Sequence, residues 1–214
     1  MTSLNDFFNR TRGLSLVVRW NFHPFVKPEN VAEHSYWVIL YAYLIIMLEC
    51  NLGNVAPEAQ SQYMLLILQY AMIHDVNEAL TGDFPFLVKR LLNKENLKNI
   101  ECAANSTIMN VNTFIEEKNS KPIRYLMNAM YKLGENYATG ELDSYIKKVV
   151  KGADLLDVYL YTVSEAKVGN FSFSQIQRES IKLMRDLHLG GLDLILNELE
   201  AGQGVVLTEG MSHL

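Results

Sequence analysis

Two long apolar segments within the first 80 residues constrain the fold of this chain more than any other feature. The first runs from Val31 to Cys50, and the second runs from Pro57 to Leu80. Asn30 stands three residues before Glu33, a spacing typical of the start of a helix. Gly82 follows the second segment at a point where a helix can end. Because both segments are apolar on nearly all sides, they predict two buried core helices.

The remainder of the sequence also predicts helices. Helical patterns cover residues 94–118, 121–134, 141–168 and 174–199, and no stretch alternates apolar and polar residues as a strand would. No repeat or low-complexity linker divides the 214 residues, a length that suits one domain. We therefore predict an all-α, single-domain fold over residues 1–200, followed by a C-terminal tail at 201–214.

Composition narrows the class of partner. The formal net charge of −5 argues against DNA or RNA polymers as the partner, because proteins that bind them usually carry a basic surface. Two cysteines without a CxxC pair, and no sign of a secretion signal, predict a cytoplasmic location. The longest unbroken apolar run, Tyr36–Leu48, is shorter than the roughly 18–20 residues that span a bilayer, so we expect no membrane association.

His74 and Asp75 are adjacent polar residues inside the second apolar segment. An ionised aspartate that is buried without a partner is strongly destabilising, so the pair requires a compensating group. A divalent cation would compensate it, because imidazole and carboxylate groups both bind zinc, manganese, cobalt or iron. Hydrogen bonds within the protein explain an isolated pair at least as well. The dipeptide alone therefore does not assign a metal site.

Two other polar residues, like the His74-Asp75 pair, lie in or beside apolar segments. His34 falls in the first turn of the first apolar helix, and Asp154 lies between small and apolar neighbours. Either can be structural, His34 as a satisfied core histidine and Asp154 as the partner of a lysine. Asp157, one turn later, competes with Asp154 for a buried role.

The sequence around these residues resembles the HD-domain superfamily of metal-dependent phosphohydrolases, and most closely its bacterial 5′-deoxynucleotidase branch. The similar blocks are Arg19-Trp20, Glu29–Ser35, His74–Pro85, Val88-Lys89 and Lys151–Asp154. A phage branch of the same architecture, which hydrolyses dATP and other deoxynucleoside triphosphates, shares most of them. The resemblance covers about residues 5–170.

The resemblance implies one divalent metal ion, with cobalt, manganese, zinc and iron not distinguished. Its implied ligands are His34, His74, Asp75 and Asp154. Such an ion would polarise the phosphoryl group and lower the pKa of the attacking water. Glu78, one turn after the His-Asp pair, is implied as the catalytic acid–base group.

The resemblance also implies how a small deoxynucleotide is bound. Arg19 and Lys89 would supply cations to the phosphate. Trp20 would press its ring against the deoxyribose and exclude a 2′-hydroxyl, and Asp83 would lie near the sugar. Trp20 can alternatively be a core residue, and Asp83 a turn residue. Residues 21–24 depart from the pattern of the bacterial monophosphatases, so the base preference stays open.

The leading hypothesis is a 5′-deoxynucleotidase, which releases inorganic phosphate from a dNMP. A dATP or dNTP triphosphohydrolase is the alternative in the same class, and it would use a second ion such as magnesium. A non-catalytic HD-fold nucleotide sensor is the alternative of another class, although Glu78, Arg19 and Lys89 argue against it. A di-iron carboxylate protein would need repeated Glu-x-x-His pairs, which are absent. The apolar helix surface and the resemblance predict a homodimer or larger homo-oligomer.

Overall fold

The computed structural model describes residues 4–84, 93–109 and 141–210. Across these ranges the regular secondary structure is helical, apart from one isolated antiparallel bridge between Val18 and Asn30. The predicted all-α class is therefore confirmed. In chain order the α-helices are α1 (Leu4–Arg12), α2 (Val31–Asn51), α3 (Gln60–Ile73), α4 (Glu78–Thr81), α5 (Lys94–Met109), α6 (Glu141–Lys167), α7 (Ser174–Arg185) and α8 (Gly190–Gly210). Short 3-10 helices cover Gly13–Leu16 and Pro57–Ala59.

Helix α2 begins where the sequence predicts. The side-chain oxygen of Asn30 accepts a hydrogen bond from the Glu33 amide at 3.0 Å, which caps the helix. By length and composition alone this helix could cross a membrane. In the structure it packs against α3, α6 and α8. Its fully buried residues, among them Val38, Ile45 and Ile46, form a large part of the core.

The start of α8 lies against α2 at a point that requires glycine. A Cβ atom on Gly191 would lie 2.8 Å from Cβ of Leu48 and 2.9 Å from the carbonyl oxygen of Ile45. The Gly191 amide also donates a hydrogen bond to the buried carboxylate of Glu49, which accepts another from Tyr145 of α6. These contacts join three helices at the C-terminal end of α2, opposite the end that carries His34.

Two segments predicted as single helices are divided in the structure. The segment 174–199 consists of α7 and the first part of α8, and the chain turns between them where His188 has a φ of 52°. This turn allows Leu189 to enter the core, and α8 then continues to Gly210. The segment 57–80 consists of a 3-10 helix, α3 and the start of α4. The predicted helix at 121–134 lies outside the described residues.

Residues 17–30, between the first 3-10 helix and α2, form a closed loop that we call the 17–30 loop. Backbone hydrogen bonds join its two ends, including one from the Arg19 amide to the Glu29 carbonyl oxygen at 2.9 Å. The carboxylate of Glu165 in α6 accepts hydrogen bonds from two backbone amides near the loop tip. The loop is thereby fixed to α6 near its tip and to the start of α2 at its base.

Candidate metal and substrate site

The His74-Asp75 pair lies just beyond the end of α3, and the prediction that it lies inside a helix is wrong. The helix ends at Ile73, and residues 74–77 form turns. Carbonyl groups in the last turn of a helix lack amide partners within it. The carbonyl oxygen of Ala71 instead lies 2.8 Å from Nδ1 of His74 and can accept its hydrogen. That hydrogen bond leaves the lone pair of the ring on Nε2.

His34 is oriented in the same way from the first turn of α2, where it is almost completely buried. Its Nδ1 atom lies 2.6 Å from Oδ2 of Asp157. An ionised carboxylate only accepts hydrogen bonds, so Nδ1 is the donor. The other ring nitrogen, Nε2, lies 3.3 Å from Oδ2 of Asp75 and 3.5 Å from Oδ1 of Asp154 on α6.

Three of the four predicted ligands come together at the spacing of a metal site, and the fourth, Asp154, lies 3.5 Å from Nε2 of His34. The ligand atoms of His34, His74 and Asp75 all lie within 4.8 Å of one another. Metal–ligand distances of about 2.0–2.2 Å place neighbouring ligand atoms about 3–3.5 Å apart. Nε2 of His74 is buried without a hydrogen-bond partner, although a carboxylate oxygen of Asp75 lies 3.1 Å away. Two lone pairs at this distance repel each other unless a proton or a metal ion lies between them, so the residues fit a divalent ion.

The electrostatics of this cluster favour positive charge at its centre. Burial and the guanidinium of Arg19 lower the pKa of His34, but hydrogen bonds to Asp157 and Asp75 outweigh them and raise it to about 9. Burial raises the pKa of Asp75, yet the imidazoles of His74 and His34 hold it well below its usual value. A proton and a metal ion therefore compete for the same nitrogen atoms.

Glu78 and Asp83 lie on the short element that follows the His-Asp turn. Glu78 is the first residue of α4 and is only 5% exposed, so it is not an ordinary surface glutamate. Gly82 ends α4 with a φ of 72°, a conformation that favours glycine. Asp83 follows directly and lines the neighbouring cavity. The structure thus places both residues beside the ligand cluster, and their roles stay predictions.

A cavity of about 180 Å³ opens beside the ligand cluster. It lies between the 17–30 loop, the chain after α4, and helices α6 and α7. Among the described residues, its charged lining consists of two cations, Arg19 and Lys151, and three carboxylates, Asp83, Asp154 and Glu179. Carboxylates outnumber cations, so an anionic substrate needs the additional positive charge of a bound metal ion.

Arg19 lines the cavity and is also paired inside the protein. Its Nη1 atom lies 2.7 Å from Glu29 and 3.2 Å from Asp157 in two buried ion pairs. Within the described part of the chain, Nε and Nη2 have no hydrogen-bond partner. These nitrogens remain for a substrate oxygen, which fits the predicted contact with phosphate.

Trp20 is both a packed residue and a lining residue of the cavity, so it fits the core role and the substrate role that the sequence allowed. Its ring stacks on Tyr161 of α6 with a centroid distance of 5.1 Å and an interplanar angle of 11°. The edge of Phe173 contacts it at 5.3 Å. Trp20 also lines the cavity together with His23. It is therefore packed into the protein and accessible to a substrate, and its contact with deoxyribose stays a prediction.

Three residues to which the sequence analysis assigned no role in the site contribute to it. Asp157 binds His34, and Lys151 binds Asp154 through Nζ and Oδ2 at 2.6 Å. Glu29 binds Arg19. The spacing of three residues between Lys151, Asp154 and Asp157 would place them on one face of a helix, which was a usable signal. The predicted phosphate ligand Lys89 lies outside the described residues.

The chain is similar to known 5′-deoxynucleotidases over most of its length. The chain matches the family model of YfbR-like 5′-deoxynucleotidases over residues 6–201. It is 26% identical to a 5′-deoxynucleotidase of Photobacterium profundum, with 96% of this chain and 97% of that protein covered. A 5′-deoxynucleotidase of Vibrio parahaemolyticus is 29% identical, with 90% of this chain and 91% of that protein covered.

Solved structures show the same fold. An HD-domain phosphohydrolase from Listeria innocua superposes with a TM-score of 0.66 at 20% identity, covering 93% of this chain and 88% of that one. A conserved hypothetical protein from Pyrococcus furiosus gives a TM-score of 0.67 at 20% identity, covering 92% of this chain and 99% of that one. The family match spans nearly the whole chain and includes every described residue of the ligand cluster. This protein therefore belongs to the YfbR-like 5′-deoxynucleotidase family.

Proposed function

We propose that the protein is a 5′-deoxynucleotidase that hydrolyses the phosphoester of deoxyribonucleoside 5′-monophosphates with one divalent cation. The supporting observation is that Asp154 belongs to both parts of the site. It contacts His34 in the ligand cluster, and it lines the cavity that Arg19 and Trp20 border. A substrate in the cavity would have its phosphate at the cluster and its nucleoside against the 17–30 loop and α7.

The cation would be held by His34, His74, Asp75 and Asp154. When bound there it supplies Lewis-acid chemistry, since it polarises a phosphoryl oxygen and lowers the pKa of water. Two nitrogens and two carboxylates suit cobalt, manganese, zinc or iron without distinguishing them. Asp157 keeps the His34 ring in the tautomer that leaves Nε2 free for the ion.

The protein's own side chains would carry out the proton transfers and the positioning. Glu78 would accept a proton as the water oxygen bonds to phosphorus and the bond from phosphorus to the 5′ oxygen breaks. Glu78 would then return this proton to the leaving 5′ oxygen, so the products are a deoxynucleoside and inorganic phosphate. Arg19 and Lys151 would offset the phosphate charge, while Trp20 and Asp83 would hold the sugar.

The charges near the cavity favour a monophosphate over a triphosphate. In the described lining, the two cations are already paired, Arg19 with Glu29 and Asp157 and Lys151 with Asp154. A triphosphate would bring more negative charge than they can offset and would require a second ion such as magnesium. Nothing among the described residues forms a second cluster for that ion.

The activity is tested by incubating the purified protein with each dNMP and each dNTP in the presence of manganese or cobalt. We expect inorganic phosphate and a deoxynucleoside from dNMPs. Release of triphosphate from dNTPs would replace this proposal with the triphosphohydrolase alternative. Binding without any hydrolysis would favour the nucleotide sensor. Alanine at His74 or Asp75 should remove both the bound cation and the activity.

We further propose that the protein is a cytoplasmic homodimer or larger homo-oligomer. One stripe of α2 carries four apolar side chains at helical spacing that remain 37–60% exposed: Tyr36, Leu40, Tyr43 and Leu44. Contiguous exposed apolar surface of this kind is typical of a protein interface. A second copy of the chain is the partner that we propose for it.

A further inference from the structure

We propose that Glu29 is the positioning residue of the substrate site, because it holds Arg19 and Trp20 together and so sets the preference for deoxyribose. The inference rests on the proposed function, in which Arg19 meets the phosphate and Trp20 meets the sugar. In this proposal Glu29 touches neither the phosphate nor the sugar. It determines the positions of the two residues that do.

A single oxygen of Glu29 makes both contacts. Its Oε2 atom accepts a hydrogen bond from Nη1 of Arg19 at 2.7 Å and another from Nε1 of Trp20 at 3.2 Å. The Glu29 side chain is only 9% exposed, so water does not compete effectively for this oxygen. The backbone is tied as well, since the Arg19 amide donates to the Glu29 carbonyl oxygen. Glu29 is thus fixed relative to both residues.

The backbone of Trp20 needs such a restraint. Its φ is 65°, which lies in the left-handed region that a bulky aromatic residue rarely adopts. A conformation of this kind persists only when the surroundings hold it. Tyr161 stacks on the ring, but a stacked ring can still slide or rotate within its plane. The hydrogen bond from Nε1 to Glu29 fixes that in-plane orientation.

The same oxygen also decides which part of Arg19 reaches the substrate. Both Glu29 and Asp157 accept hydrogen bonds from Nη1. With Nη1 held, Nε and Nη2 are the nitrogens that remain for the phosphate. Loss of Glu29 would therefore leave the guanidinium with Asp157 alone among its described partners and remove the hydrogen bond that orients the indole. We expect the distance between the phosphate contact and the sugar contact to become variable in its absence.

Glu165 provides a matched control, because it is a second buried glutamate that fixes the same loop. It accepts hydrogen bonds from the amides of Val26 and Lys27 at 2.8 and 2.9 Å. It bonds to neither Arg19 nor Trp20. Substitutions at Glu165 and Glu29 both loosen the 17–30 loop, but only the change at Glu29 frees the two substrate contacts. A purely structural role for Glu29 predicts that the two sets of variants behave alike.

The first measurement compares dAMP with AMP as substrates for the wild type and for the variants Glu29→Ala, Glu29→Gln and Glu165→Gln. For Glu29→Ala we expect KM for dAMP to rise about tenfold or more, the range for a lost hydrogen bond to a charged group. The dAMP preference should fall with it. Glu29→Gln keeps an acceptor of the same shape without its charge and should lie between wild type and Ala. Glu165→Gln should keep the wild-type preference.

A second measurement needs no activity. The chain has two tryptophans, Trp20 and Trp37, so a Trp37→Phe background makes Trp20 the fluorescent reporter. In metal-free protein we expect Glu29→Ala to shift Trp20 emission to longer wavelength and to lower its anisotropy. Glu165→Gln should change neither as much. Unchanged emission and anisotropy in Glu29→Ala would overturn the role of Glu29 as the anchor of the indole.

The outcomes separate this inference from the proposed function. A wild-type protein that hydrolyses no dNMP would overturn the proposed function, whatever the fluorescence shows. An active wild type whose dAMP preference survives in Glu29→Ala would overturn the inference about Glu29 alone. If Glu29→Ala does not fold, Glu29→Gln decides. Equal dAMP preference in Glu29→Gln and Glu165→Gln would then contradict the proposal.

Discussion

Asp157 and His34 lie 123 positions apart in the chain, yet Oδ2 of Asp157 is 2.6 Å from Nδ1 of His34. The same oxygen lies 3.2 Å from Nη1 of Arg19. One carboxylate therefore orients a predicted metal ligand and also braces a predicted phosphate contact. Metal-binding histidines are commonly oriented by a carboxylate in this way, and the partner increases the basicity of the ligand.

Replacing Asp157 with asparagine should weaken metal binding. The amide keeps the size of the side chain but loses the charge that stabilises the donor state of His34 Nδ1, so we expect the affinity for manganese or cobalt to fall about 10–100-fold. Calorimetric titration of the metal-free protein measures it. Asp186→Asn, at an exposed position after α7, is the control. Wild-type affinity in Asp157→Asn would show that this contact is dispensable for the ion.

Replacing Glu78 with glutamine should separate binding from turnover. Glu78 is buried directly after the His-Asp turn and is not one of the predicted ligands. We expect kcat for dNMP hydrolysis to fall by about 10²–10⁴, the usual range for a lost acid–base group, with metal affinity retained. Steady-state kinetics and a metal titration on the same sample measure both. Normal turnover would assign Glu78 a structural role instead.

The apolar pattern predicted the helical fold because buried helices carry their signal locally. The cap formed by Asn30 and Glu33 and the bounds of α2 follow from short-range chemistry, and the structure confirms them. The division at His188 was not predicted. The apolar residues on either side fit one continuous helix, and the turn appears only when Leu189 and Gly191 pack against other helices.

The site was only partly predictable, because contacts between residues far apart in the chain leave no local signal in the sequence. The resemblance implied four ligands, and the structure groups three of them and places Asp154 next to His34. It implied no role for the residues that support them. Glu29 and Asp157 act through contacts with Arg19 that span 10 and 138 positions of the chain. No local pattern marks such a contact, because its partners meet only after α6 and the 17–30 loop have packed. Burial of both carboxylates is likewise a property of the folded chain.

Acid should weaken the attachment of the 17–30 loop to Glu165. Burial raises the pKa of Glu165, but hydrogen bonds from the Val26 and Lys27 amides outweigh it and lower the pKa below its ordinary value of 4.5. A depressed carboxyl pKa stabilises the fold above the unfolded-state value, and this stabilisation is lost as the pH falls through the folded-state value. We therefore expect Glu165→Gln to destabilise the protein by about 1–3 kcal/mol at pH 7.

The same difference should shrink as the pH falls below 4.5, the ordinary pKa of the carboxyl. Urea unfolding of wild type and Glu165→Gln, both with a chelator, measures the free energy of unfolding at pH 7 and at pH 4. The difference between the two proteins isolates Glu165 from the other carboxylates that titrate in acid. A difference that does not change with pH would show that the contact does not depend on ionisation.

The exposed stripe of α2 should determine the oligomeric state. A lysine at Leu44 would place a charge among the apolar side chains that a second copy would bury, and an unpaired charge in an interface is costly. We expect Leu44→Lys to convert the proposed assembly to monomers, measured by size-exclusion chromatography with light scattering. Leu194→Lys is a matched control, because Leu194 is also 45% exposed but lies on α8. A monomeric wild type, or an assembly that survives in Leu44→Lys, would exclude this face as the interface. Equal dissociation by Leu194→Lys would point to general loss of structure, since only the Leu44 change lies within the stripe.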